Sequence, residues 1–304
     1  MALLEYIANG LVFSSIIVLA SVGLSLVYSI ADFANFAHGD TMTVGAYAAL
    51  VAFGVIGGLG AEILGLPLGF FVALAVGIVV AAVVAILTHK LVYEPLDIDS
   101  IGLLITSIGV AFVYRAVIQL GFGAQVTEFD IQVLRPIDAL LPLGVRMTLH
   151  DVAILVSAVV LVTALHVLLQ YTDLGRKMRA TADNPDLARV SGIRTDRIKL
   201  WTWLIGAGLA GAGGGFLGLY SSVSPRMGFN ILLVVFAAVI LGGIGSIYGA
   251  MLGGFLIGMI DQLTPLLTDV GIPIGTEYSY AIAFVIMVAV LLVRPNGIAS
   301  EVGS

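Results

Sequence analysis

Residues 66–88 read LPLGFFVALAVGIVVAAVVAILT, an apolar run of 23 residues that contains no charged side chain. At a rise of about 1.5 Å per residue, a helix of this length covers the roughly 30 Å hydrocarbon core of a bilayer. The run therefore predicts a transmembrane α-helix, and similar runs recur along the chain.

The composition is that of a membrane protein. Only 11% of the 304 residues are charged, against about 25% in soluble domains, and the mean hydropathy is +1.13. The apolar runs are continuous rather than alternating, which indicates helices and not barrel strands. We expect an all-α polytopic membrane protein with about eight to ten spans, forming a single domain over 1–304. The predicted spans are 9–30, 38–58, 66–88, 101–121, 151–170, 200–221, 229–244, 248–267 and 278–293.

Glycines are concentrated in two stretches, GAGLAGAGGGFLG at 206–218 and GGIGSIYGAMLGGFLIG at 242–258. The first part of the second stretch, 242–250, separates the seventh and eighth runs, which predict either two short spans or one broken, partly re-entrant element. Small residues at three- and four-residue intervals let helices approach closely in a membrane, and such packing is compatible with sliding. The glycines expected at helix contacts here are Gly242, Gly243, Gly245 and Gly249.

The cations are unevenly distributed. Seven of the thirteen Lys and Arg residues lie in 171–200, so the positive-inside rule predicts that the 171–199 loop is cytoplasmic. Alternation of the nine spans then gives nine cations on that side and three on the other, with the N-terminus outside and the C-terminus inside. The segment 122–150 becomes an external loop of strand-like or irregular backbone.

Several kinds of site are not expected. The chain has no cysteine for a disulfide or a thiolate metal site, and its net charge of −6 argues against nucleic acid. It contains no G-x-x-x-x-G-K-[ST] phosphate loop, so it cannot cradle ATP in that way. We expect neither a metal nor a cofactor on this chain. An intramembrane enzyme is disfavoured, because His38 with Asp32 or Asp40 would be its only catalytic pair.

The stretch ATADNPDLARVSGI, at 180–193, encodes its own short helix. Asp183 or Asn184 suits the N-cap, Pro185 the first helical position, and Gly192 the stop after the last turn. These residues leave two interpretations open. The loop either serves only to set the membrane orientation, or it docks a cytosolic partner.

Four stretches resemble the permease subunits of branched-chain amino acid ABC importers, the LivH type. They are GLSLVYSIADFANFAHGDTMTVGAY (23–47), LVYEPLDIDSIGLLITSIGVAFVYR (91–115), GRKMRATADNPDLARVSGIRTDRIK (175–199) and AAVILGGIGSIYGAMLGGFLIG (237–258). In the second stretch, Asp97 and Asp99 stand where the family commonly has a basic residue. The resemblance implies that a helix near 183–192 couples the permease to an ATPase. The residues expected to serve this coupling are Asp183, Asn184, Pro185, Ala188 and Gly192.

The resemblance also implies where the protein is located and which partners it has. It predicts a multi-pass cell-membrane subunit with a second permease subunit, two cytosolic ABC ATPases that bind the ATP, and an extracytoplasmic solute-binding protein as partners. Urea and short-chain amide permeases share these signatures, so they remain alternatives for the solute. An ion-coupled secondary transporter, a different class, would need several carboxylates in mid-span, and Asp261 is nearly alone there.

Polar residues inside the spans are candidates for the pathway or its gate, since ionisable groups are costly in a membrane. They are Asn35, His38, Asp40 and Arg115. One interpretation places ADFANFAHGD in an interfacial turn, with Asp40 as a helix cap and His38 among hydrated headgroups. The other aims a helix N-terminus at an anionic carboxylate. Arg115 is expected either to snorkel to the outer interface or to pair with Asp261 or another intramembrane polar group and hold the helices in register.

Overall fold

The computed structural model describes residues 2–96, 98–269, 275 and 278–299, and that part of the chain is mostly helical. Asp97 and the end of the predicted C-terminal segment, 300–304, lie outside the described residues. A small hairpin of β1 (Glu62–Ile63) and β2 (Leu66–Pro67) joins the second and third helices. The described helices are α1 (Ala2–Ala31), α2 (Ala37–Ile56), α3 (Leu68–Thr88), α4 (Ser100–Phe122), α5 (Leu149–Tyr171), α6 (Asp173–Asp183), α7 (Pro185–Val190), α8 (Thr195–Tyr220), α9 (Met227–Gly242), α10 (Ile247–Leu263), α11 (Pro265–Asp269) and α12 (Ser279–Val293).

Each of the nine predicted spans coincides with a helix, which confirms the polytopic α-helical class. Seven of the described helices are long and apolar enough to cross a membrane, counting the π-helical turn that extends α3 and the short extension of α10. The other two, α9 and α12, have 16 and 15 residues. Helices α9 and α10 are separate, because the chain between them turns through Gly243 and Gly245 at φ values of 109° and 83°.

Helices α1 and α8 form the centre of the bundle. Within the most apolar window of each, 83% of the residues are buried, against 22% in α4 and 28% in α5. Helix α1 packs on α8, α9 and α10, while α2 packs on α3, α4, α8 and α9. The outer helices α4 and α5 therefore present most of their apolar side chains outward, as expected of helices that face lipid or another subunit.

The glycines of α8 explain why it can occupy the centre. A Cβ atom on Gly214 would lie 1.9 Å from the Met42 carbonyl oxygen of α2, and one on Gly211 would lie 2.8 Å from the Cβ of Ala81 in α3. On the opposite side, a Cβ on Gly206 would lie 2.8 Å from the Gly23 carbonyl oxygen of α1. Three neighbours thus approach the α8 backbone more closely than any side chain would allow.

One end of the bundle collects the segments that charge and alternation assign to the cytoplasm. Ala31, His89 and Lys199 line one cavity there, which brings together the end of α1, the turn after α3 and the start of α8. At the same end, the Tyr248 hydroxyl lies 2.8 Å from both His166 Nδ1 and Gln170 Nε2, at the end of α5. The C-terminal segment also lies here, on the α9–α10 turn, because Ile298 N–H donates to the Leu241 carbonyl at 2.9 Å.

The other end holds the long segment between α4 and α5, whose backbone is mostly irregular. Thr127 and Val223 exchange backbone hydrogen bonds of 2.9 and 2.8 Å, which attach this segment to the chain after α8. Phe129 is buried, with its ring centroid 5.3 Å from that of Phe70. His150 Nε2 donates to the Gly65 carbonyl at 3.1 Å, so the β-hairpin is held at the same end.

We expect Gly214→Ala to destabilise the protein and Gly109→Ala to leave its stability unchanged or slightly raised. The first substitution places a methyl group against the Met42 carbonyl, and overpacking of this kind costs about 1–3 kcal/mol or more. The second adds a methyl group to α4 at a position with no heavy atom within 4 Å. Thermal unfolding in detergent measures both variants, and equal melting temperatures would contradict the packing described here.

Candidate functional site

The segment between α5 and α8 is largely helical, and its first part is α6, which was not predicted. Helix α6 is amphipathic, with Met178 and Thr181 buried against the bundle. Its N-terminus is capped by the Thr172 hydroxyl, which accepts from Gly175 N–H at 3.1 Å. The Arg179 guanidinium donates to the Leu169 carbonyl, so it ties α6 to the end of α5. The segment therefore has a fixed position on the bundle.

Helix α7 follows directly and lies within the predicted range 183–192. Its N-cap is Asn184 rather than Asp183, because the Asn184 Oδ1 accepts from the N–H groups of Asp186 and Leu187 at 3.1 and 2.9 Å. Pro185 occupies the first helical position. Gly192 has φ +86°, a left-handed conformation that ends the helix and that glycine adopts without strain.

The side chains of α7 divide into an inward and an outward set. Ala188 is 3% exposed, and its carbonyl accepts from Ile193 N–H at 3.0 Å. Leu187 and Val190 are 63% and 86% exposed. Two large apolar side chains thus project beside the exposed charges of Asp186 and Arg189, at the end of the molecule where most cations lie. Such a pair is typical of a protein contact surface.

A groove of about 450 Å³ opens beside α7, between α6 and the start of α8. Its polar lining includes the exposed cations Lys177, Arg194 and Arg197, and its apolar lining includes Trp201. We call α7 together with this groove the cytoplasmic docking surface, after the membrane side and the role that the sequence predicts for it. It combines projecting apolar side chains with a basic depression, which suits a partner that carries an apolar pocket and acidic residues.

The predicted polar candidates lie together at the start of α2, and they are buried. Exposures are 2% for Asn35, 1% for His38 and 0% for Asp40. His38 Nε2 donates to the Ala20 carbonyl at 2.9 Å, and Ala20 lies eleven residues before the end of α1, about 16 Å along its axis. Helix α2 therefore begins inside the bundle.

The interpretation of this stretch as an interfacial turn is wrong. The N-cap position of α2 is Phe36, which makes no side-chain capping bond, and Asp40 lies one turn further along the helix. The first N–H groups are satisfied inside the protein instead. Phe36 N–H donates to the Ser107 hydroxyl at 2.9 Å, and Ala37 N–H donates to Asn35 Oδ1 at 3.0 Å.

Asp40 forms an ion pair with Arg115 of α4, which joins α2 to one of the least buried helices. Arg115 Nε and Nη2 donate to the two carboxylate oxygens at 3.1 and 2.9 Å, a bidentate geometry. The guanidinium carbon lies 4.3 Å from the ring centroid of Phe229, at the start of α9. The Arg115 side chain is 11% exposed and its partner is Asp40, so snorkelling to the interface and pairing with Asp261 are wrong, whereas the predicted pairing with an intramembrane polar group is observed.

The glycines between α9 and α10 form a backbone contact. A Cβ on Gly242 would lie 2.0 Å from the Gly249 carbonyl oxygen, and one on Gly249 would lie 2.3 Å from the Gly242 carbonyl oxygen. Gly243 is approached by the C-terminal segment at Gly297. Gly245 has φ +83° and open space around it, so its role is to make the turn and not to pack.

Comparison with known proteins identifies relatives of the whole chain. The sequence profile of the family described as branched-chain amino acid transport system, permease component, matches residues 6–291. The chain is 30% identical to the high-affinity branched-chain amino acid transport permease LivH of Escherichia coli, over 97% of this chain and 94% of that protein. It is 31% identical to the corresponding permease BraD of Pseudomonas aeruginosa, over 97% and 95%. The autoinducer 2 import permease LsrC of Escherichia coli is 29% identical, over 88% and 78%.

We expect Asp40→Asn and Arg115→Gln each to destabilise the protein by about 3–5 kcal/mol, because each leaves a buried partner without its counter-charge. The double variant should be more stable than the sum of the single effects predicts, by about 1–3 kcal/mol. Thermal unfolding in detergent provides the measurement. The control cycle combines Arg115→Gln with Asp261→Asn, for which the effects should add. Additive effects for the Asp40 pair would contradict the ion pair.

Proposed function

The chain belongs to the family of permease components of branched-chain amino acid transport systems, and from this premise we propose that it carries branched-chain amino acids across the membrane for an ATP-binding-cassette importer. The seven long apolar helices and the match over nearly the whole chain support a multi-pass transport subunit. The observation that carries the proposal is the cytoplasmic docking surface, because it offers a separate ATPase a place to act.

The apolar part of this surface supports an ATPase contact. Leu187 and Val190 project from the protein at the cytoplasmic end, where lipid does not cover them. Interfaces of this kind gain most of their binding energy from a few side chains that enter pockets on the partner. We infer that α7 seats these two residues in an apolar groove of the ATPase.

The basic part supports the same partner and gives the contact its orientation. Lys177, Arg194 and Arg197 line the groove beside α7. Complementary charges speed the encounter of two proteins and fix the register in which they bind. Acidic residues at the rim of the ATPase groove would meet these cations.

ATP is bound by the ATPase and not by this chain, which we propose works without a cofactor of its own. The sequence has no phosphate-binding loop. The energy of ATP binding would reach the permease as a displacement of α7. Because Ala188 is buried and α7 packs on both α6 and α8, such a displacement would act on the central helix of the bundle.

The remaining partners are proposed from the architecture of such importers. A second permease subunit, identical or different, would cover part of the apolar surface of α4 and α5. A solute-binding protein outside the membrane would deliver the solute to the end that holds the α4–α5 segment. The similarity to LsrC, an autoinducer 2 permease, makes a solute other than an amino acid the second candidate, and urea and short-chain amides belong to the same alternative.

We expect Leu187→Asp combined with Val190→Asp to abolish the coupling of ATP hydrolysis to uptake. Losing two anchoring side chains weakens binding of the ATPases and lowers ATP-driven leucine uptake by at least about tenfold. The measurement is uptake of labelled leucine into liposomes that contain the permease, its partner subunits and internal ATP. Co-purification of the ATPases with the permease provides an independent readout.

The matched control is Val133→Asp, an equally drastic change at a residue that is 91% exposed at the opposite end. It should leave binding of the ATPases unchanged. Full uptake by the α7 variant would contradict the proposal. Leucine uptake by the permease alone, driven by an ion gradient without ATPases, would instead identify an ion-coupled secondary transporter.

A further inference from the structure

A polar cavity of about 340 Å³ lies toward the outer end of the bundle, beside α1 and at the ends of α8, α9, α10 and α12. We propose that it binds the solute as a zwitterion, with Asp261 holding the α-ammonium group of an aliphatic amino acid. This inference rests on the proposed function, since it assumes that the solute is an amino acid. The size of the cavity is at the lower end of the range typical of small-molecule sites.

Asp261 is the residue of the cavity wall that would bind a cation. It is half-buried in α10, and its carboxylate accepts a hydrogen bond from Nε2 of the adjacent Gln262 at 2.9 Å. No Lys, Arg or His within the part of the chain that the structure describes forms an ion pair with it. A carboxylate in a membrane-embedded segment is costly without a partner, so an incoming ammonium group would offset that cost.

The neighbours of Asp261 suit an ammonium group better than a metal ion. Tyr220 and Tyr280 line the same cavity as Asp261. Ammonium groups bind to carboxylates and hydroxyl oxygens and also to aromatic faces. Among the described residues, no group of three His, Cys, Asp or Glu side chains is placed to hold a metal ion.

The remaining residues of the cavity wall suit the carboxylate and the side chain of an aliphatic amino acid. The Asn230 amide and the Ser224 hydroxyl are donors for a carboxylate, and Met227, the first residue of α9, brings the positive end of that helix to the wall. Phe13, Leu217 and Ile231 provide an apolar wall for a branched side chain. The cavity therefore combines an acidic, a donating and an apolar region.

Because the chain contains no cysteine, a single introduced thiol can report on the cavity. Ser222→Cys places a single thiol in the cavity wall, and Ser221→Cys provides a second reporter in case the first disturbs the fold. Each is introduced into the complete transporter in membrane vesicles, and the rate of labelling by a charged thiol reagent is measured as leucine is added. We expect leucine to slow the labelling of both thiols. Ala139→Cys, on the exposed external segment, should be labelled at the same rate with and without leucine.

The role of Asp261 is tested in the same vesicles. Asp261→Asn should raise the leucine concentration that gives half of the full protection by about tenfold or more. A hydrogen bond between two charged groups is stronger than one between a charged and a neutral group. Asp261→Glu should retain most of the protection. 4-Methylpentanoate, which is leucine without its ammonium group, should protect the thiols poorly in the wild-type protein. Asp261→Asn should not weaken that protection further, because this compound has no ammonium group for Asp261 to bind. Asp130→Asn, an exposed carboxylate at the same end, is the matched control and should change nothing.

The outcomes separate the site from the function. Leucine uptake by the wild-type complex with no protection of either thiol overturns the cavity as a binding site, while the proposed function stands. Protection that is equal for leucine and 4-methylpentanoate, or unchanged in Asp261→Asn, overturns the role of Asp261. A wild-type complex that carries no branched-chain amino acid overturns the proposed function itself, and the inference falls with it.

Discussion

Helix α2 begins inside the bundle, and the backbone groups at its start have no bulk water to bind. In such a place each N–H needs a partner from the protein, because an unsatisfied group costs several kcal/mol in an apolar environment. Asn35 and Ser107 supply those partners, and His38 and Asp40 fasten the same turn to α1 and α4. The positions of three helices thus depend on one buried turn. Its polar residues are explained by these contacts, so their burial alone does not make them part of a pathway.

Helix α8 connects the two regions to which we assign function. It starts at Thr195, next to the cytoplasmic docking surface, and ends at Tyr220, in the wall of the outer cavity. Its 26 residues correspond to about 39 Å, the full thickness of the hydrocarbon core and more. A rigid helix that is in contact with both regions provides a short mechanical route between an ATPase and a solute. Its glycine surfaces, which lack side chains that interlock, suit a rotation or a slide against α1, α2 and α3.

The sequence predicted those features that depend on composition or on neighbouring residues. All nine apolar helices could be predicted from hydropathy, because a helix that crosses lipid consists mostly of apolar residues. The ends of α7 could be predicted from Asn184, Pro185 and Gly192, because these residues act on the backbone next to them. The depth at which α2 starts could not be predicted, because hydropathy does not report how far one helix is displaced along another. The partner of Arg115 could not be predicted either, since Asp40 is 75 residues away and helix rotations decide the pairing.

Helix α6 is a different kind of omission, because the sequence did carry a signal for it. Leu174, Met178 and Thr181 recur at intervals of four and three residues, the spacing of one helix face, within a segment that is otherwise charged. A search for apolar runs passes over such a helix, since its mean hydropathy is low. Its amphipathic pattern is typical of a helix that lies on a protein surface.

The contact between Gly39 and Gly228 limits how this family of sequences can change. A Cβ on Gly39 would lie 2.4 Å from the carbonyl oxygen of Gly228, and one on Gly228 would lie 1.8 Å from that of Gly39. In most protein interiors a larger residue can be compensated by a smaller one opposite. Here no smaller residue exists, so neither position has a compensating substitution, and only a shift of α2 relative to α9 could accommodate a side chain. We therefore expect these two positions to evolve independently of each other and very slowly.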